Sequence, residues 1–87
     1  MKKIEKKCTP EFFEKIVSGE KNFEVRLANW KCNSGDTLVL KEWNQLTKSY
    51  TGRSIEKKVI YVLKTKDLSF FSKEEINKYG LQILGLK

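Results

Sequence analysis

The sequence predicts a small α+β domain, mostly β with two short helices, whose short strands curl into a partly closed barrel. Three observations predict it. Apolar and polar residues alternate in several short runs. Two helix starts are marked, by Thr9-Pro10 and by Ser72 with Glu75 three residues on. Short strands with long antiparallel partners suit a small barrel better than a βαβ sheet.

The elements follow in order. Residues 2–8, "KKIEKKC", read as a short basic strand with Ile4 and Cys8 apolar. Thr9 supplies a hydroxyl for a helix cap, and Pro10 stands at the first helical position, where its missing N–H costs nothing. Phe12, Phe13, Ile16 and Val17 form the apolar stripe of a two-turn helix, which Gly19 stops. From Asn22 the period becomes two: Phe23, Val25 and Leu27 share one face, and Asn22, Glu24 and Arg26 the other. A polar connection, "ANWKCNSGD", leads to a strand "TLVLKEW". The segment "NQLTKSYTGR" reads as a hairpin-type loop and "SIEKKVIYVLK" as a long third strand, with both faces covered near its end. Ser72 and Glu75 make a capping box for a helix to Tyr79. Gly80 ends it, and "LQILGLK" closes the chain as a last strand.

With 87 residues the chain is expected to form one domain spanning 1–87, with one modest core. Its 18 basic residues against 11 acids give a net charge of +7, a balance that favours polyanions and nucleic acid first. There is no histidine. That removes the usual general base near neutral pH and every Ser-His or Cys-His pair. Catalysis would have to run on Lys, Glu, Asp, Tyr, Thr or Cys. Cys8 and Cys32 have no zinc-like spacing, so no metal or other cofactor is expected. No signal peptide or long apolar run is visible, so the expected place is the cytoplasm, away from membranes.

Several residues are candidates for chemistry. Glu24 and Arg26 project to one face of the same strand, with Lys21 just after the helix-ending glycine. On spacing alone they read as a surface ion pair worth about 0–1 kcal/mol, or as a site holding an anion or a polar base. Alternation points Glu42 inward, toward a cation such as Arg26 or Lys21, unless a bulge turns it out. Trp43 is either core or a stacking platform for a base. Tyr50 and Arg53 flank a glycine in "YTGR", and Arg53 is one of only two arginines, a residue suited to bidentate phosphate or carboxylate contacts. Lys57, Lys58, Lys64 and Lys66 form a basic stripe or a solvated face. Phe70-Phe71 reads as a hydrophobic staple and core contact.

These motifs resemble the ASCH domains (activating signal cointegrator homology). "GEKNFEVR" matches their G-x-K-x-x-E-x-R signature through Gly19, Lys21, Glu24 and Arg26. Pro10 with Phe13, the "GDTLVLKEW" segment and "YTGR" are similar to a small bacterial and phage subgroup of uncharacterised ASCH-like proteins. The resemblance implies a PUA-like barrel with a cleft beside the signature that binds RNA or a nucleotide. It makes Lys21, Glu24 and Arg26 cleft residues, with Glu42 and Arg53 beside them and Asn29 keeping part of a charged "N-D-R" pattern. One branch of that family hydrolyses N4-acylated cytidines with the signature lysine, a threonine and a distal glutamate; here Glu24 stands in the threonine's place. The leading expectation is therefore an RNA- or nucleotide-binding domain using Lys21, Glu24, Arg26, Asn29, Trp43, Tyr50 and Arg53. A metal-independent hydrolase of N-acylated nucleosides or RNA, using Lys21 with Glu24 or Glu42, is the alternative. A protein-interaction module is the third.

Overall fold

Strand β1 (Lys3–Cys8) lies beside β2 (Thr37–Asn44) in parallel, and β2 pairs antiparallel with β3 (Ser49–Lys58). This three-stranded mixed sheet, with helices α1 (Pro10–Val17) and α2 (Lys73–Tyr79), makes the chain an α+β protein. The computed structural model describes residues 1–84.

Alternation decides the faces of the sheet. Leu38, Leu40 and Glu42 of β2 are buried on one side, in register with Ile4, Lys6 and Cys8 of β1. Helix α1 covers that side, placing Phe13 and Ile16 against Cys8, Leu38 and Leu40 to form the core. The core draws on half of the expected helix stripe, since Phe12 and Val17 are half exposed. Thr9 occupies the cap position without a side-chain cap bond, and Pro10 opens the helix.

Between β2 and β3 the register shifts. Lys41 opposes Ser54 and Trp43 opposes Tyr50, so Thr51, Gly52 and Arg53 together face Glu42. Gly52 takes φ +97° here, a value that a side chain disfavours. The "YTGR" segment is thus strand with a bulge, where a loop was expected. The hairpin turn is shorter than expected, and Asn44 holds it by accepting the Leu46 and Thr47 amides.

Three expected strands differ. Residues 22–27 form no strand, and side-chain bonds of Lys21, Glu24 and Arg26 anchor the segment instead. The third strand starts earlier, at Ser49, and ends at Lys58, because its partner β2 begins at Thr37, opposite Lys58. Residues 81–84 lie outside any strand, and the rest of "LQILGLK" lies outside the described residues. The Ser72–Glu75 capping box forms with both bonds at 3.1 Å. Phe70 and Phe71 are exposed rather than core, and meet edge to face at 5.3 Å.

Candidate ligand cleft

Helix α1 sets the position of Lys21. Gly19, at φ +85°, reverses the chain, and the Lys21 amide then donates to the Lys15 carbonyl at 3.0 Å. The reversal aims the side chain back along the following segment. Lys21 Nζ donates to Glu24 Oε1 at 2.8 Å and to the Phe23 carbonyl at 2.9 Å. Arg26 Nε donates to the other carboxylate oxygen, Glu24 Oε2, at 2.9 Å. One acid is thus clamped between two cations. The side chains of Lys21, Glu24 and Arg26 are 13%, 19% and 30% exposed, so Lys21 and Glu24 are partly buried and Arg26 stands at the exposed edge of the cluster.

Arg26 also ties the cluster to the sheet. Its Nη2 donates to the Lys7 carbonyl at 2.6 Å, on β1. A guanidinium therefore bonds β1 where a paired strand would have placed a backbone amide. Lys21 lies between two aromatic rings, 5.3 Å from the Phe12 centroid and 5.1 Å from Phe23.

The cluster stands where two hollows meet. One, of about 380 Å³, is also lined by Trp30, Cys32 and residues 57–64. The other, of about 560 Å³, includes Cys8, Phe12 and Lys15. Lys21, Phe23, Glu24 and Arg26 line both. Burial pushes the Cys8 thiol above its ordinary pKa, Glu24 adds to that push, and Lys21 and Arg26 oppose it. Cys8 is thus a protonated wall residue near neutral pH, and thiolate chemistry is disfavoured there.

Glu42 points inward, as alternation indicated, but its partners are not Arg26 or Lys21. Thr51 Oγ1 donates to Glu42 Oε1 at 2.6 Å, and Arg53 Nε lies 3.6 Å from the same oxygen. Arg53 Nη2 reaches Glu14 of α1 at 2.6 Å, and its guanidinium lies 4.7 Å from the Phe13 ring centroid. Two carboxylates satisfy this arginine, and it fastens β3 to α1. Thr51 and Glu14 are members of this group that sequence reasoning missed. The "YTGR" motif contained the first, but only the bulge turns it toward Glu42.

Trp43 and Tyr50 lie on the opposite face of the sheet, because neighbours along a strand point to opposite sides. Asn29 is exposed and lines neither hollow. The structure therefore brings together Lys21, Glu24 and Arg26, groups Glu42 with Arg53 nearby, and leaves Asn29, Trp43 and Tyr50 elsewhere. Asp36, in the "GD" motif, is a structural clamp. Its carboxylate accepts the Lys2 and Asn33 amides, which lower its pKa, and its carbonyl accepts Val59 N–H.

Residues 4–77 match the profile of a family described as a domain of unknown function, DUF3850. The chain belongs to the DUF3850 family. The match runs from β1 to α2 and takes in every residue of both polar groups, so clamp and hollows lie within the DUF3850 region. No curated protein and no solved structure matches the chain. Among the described residues, no helix is long and apolar enough to cross a membrane. Among them, too, no group of three or more acidic or cysteine side chains is placed to hold a metal ion.

Proposed function

We propose that this DUF3850 chain is an RNA- or nucleotide-binding domain whose cleft is the pair of hollows around Lys21, Glu24 and Arg26. The observation that carries the reading is the clamp itself, two cations fixed on one carboxylate between two hollows. Glu24 pre-orients Lys21 and Arg26, so a ligand finds them already ordered. Lys21 commits two of its three donors, to Glu24 and Phe23, which leaves one for a phosphate or a base acceptor. Phe12 and Phe23 offer apolar walls beside that charge.

The ASCH resemblance and a PUA-like barrel belong to the same proposal. Residues 22–24, 26–27 and 59–63, from two runs with strand-like alternation outside the sheet, line the same hollow. Closure of the barrel would draw them together around the ligand.

Holding fits this geometry better than cutting. Each Glu24 oxygen accepts a charge-assisted bond from a cation, which commits the carboxylate to positioning Lys21 and Arg26. Turnover of an N4-acylated cytidine that disappears in Lys21→Ala would reverse this preference.

Titration of a short single-stranded RNA at rising salt tests the reading. Affinity falls as salt rises, and Lys21→Ala with Arg26→Ala weakens it by about tenfold or more. Affinity indifferent both to salt and to the double substitution would sink it.

A further inference from the structure

We propose that the outer face of the sheet, opposite the cleft, is a second binding surface: a stacking platform for single-stranded nucleic acid, built from Trp43 and Tyr50 with Lys7 and Lys41. The register defines the face. Trp43 pairs with Tyr50 across β2 and β3, and their rings meet edge to face at 4.9 Å and 76°. Tyr50 is 49% exposed. Lysines already lie on these rings. Lys7 Nζ is 3.7 Å from the Trp43 centroid, and Lys41 Nζ is 5.0 Å from that of Tyr50.

Charge on this face selects the partner. The same strand parity that puts the partly buried Trp43 on the outer face places Lys3, Lys7, Lys41 and Lys58 here against Glu5 and Glu56. Glu5 is taken by Lys41 and Glu56 by Lys3. Lys7 has no carboxylate within bridging distance among the described residues; its ammonium rests on the rings alone. An exposed lysine on a ring is held weakly, and a stacked base is held more strongly. A single strand therefore exchanges one for the other: a base takes the Trp43 face and the displaced Lys7 ammonium meets the adjoining phosphate. Unpaired strands suit the geometry because their bases are free to splay onto two rings that are not coplanar. The platform does not depend on the cleft. Lys7 separates the two, its carbonyl holding Arg26 and its side chain covering Trp43.

Fluorescence reads this directly, because the chain has two tryptophans and Trp30→Phe leaves Trp43 as the reporter. Short oligouridylate and oligodeoxythymidylate are titrated into that variant. The expected result is saturable quenching of Trp43, weakened about tenfold by Tyr50→Ala. Lys7→Gln then lowers the salt slope by about one. Tyr50 is half exposed, so its removal opens no core, and far-UV circular dichroism checks that each variant folds. Adding Lys21→Ala with Arg26→Ala separates the sites, since quenching persists if the platform is its own surface. Three results would overturn the proposal: no quenching by either oligonucleotide, quenching that vanishes with the cleft substitutions, or equal quenching by polyglutamate. Failure of the cleft reading leaves the quenching in place, and failure of the platform leaves the cleft's salt-dependent binding intact.

Discussion

Glu24 shows how a single residue converts loose charges into an ordered cluster. Lys21 and Arg26 on flexible stems would sample many positions, and the shared carboxylate fixes both. Glu42 does comparable work in another place, where a buried acid is tolerated because Thr51 and Arg53 supply its partners. Asp36 is a third anchored acid, and it carries a pH prediction. Two backbone amides lower its pKa in the folded state, first Asn33 and then Lys2. A group whose pKa is depressed by folding stabilises the fold above its unfolded value, near pH 4. That contribution is lost as pH falls through the folded value. Urea unfolding midpoints should therefore drop on acidification below about pH 4, and Asp36→Asn should flatten the drop. An equally steep drop in Asp36→Asn would contradict the assignment.

At the scale of elements, much of the fold was legible. Strands β1 and β2, both helices and the capping box follow from period, cap residues and proline position. The two misread strand runs, 22–27 and 59–63, share one cause: alternation gives a segment two faces and says nothing of a backbone partner. Residues 22–27 alternate cleanly yet use the Lys21 and Arg26 side chains as anchors. Residues 59–63 alternate too, but β2 has no residue left to pair with them. The signature cluster was legible as a polar group, whereas the Thr51–Glu42–Arg53 group depended on a bulge that the "YTGR" letters disguise as a turn. The bulge is itself testable. Gly52→Ala should cost about 1–2 kcal/mol in chemical denaturation through backbone strain, since the added methyl meets open space. A neutral Gly52→Ala would mean that the left-handed bend is not required.

Across the whole molecule, burial and charge are unevenly distributed. The buried apolar residues belong to β1, α1 and β2, while Ile60, Tyr61, Phe70 and Tyr79 are mostly exposed. The sheet thus has a helix-covered side with the clamp at its margin, and an outer side carrying rings and lysines. The +7 charge favours the approach of a polyanion to either side, and in the proposed reading local geometry decides where it docks. The central claim, that the Lys21–Glu24–Arg26 clamp holds a nucleotide, is met most directly by NMR of the labelled protein titrated with cytidine monophosphate. The account predicts saturable shifts at the Lys21 to Arg26 amides and at the Arg26 side-chain Nε–H, with helix α2 unmoved. Shifts that spare those positions, or that never saturate, would contradict it.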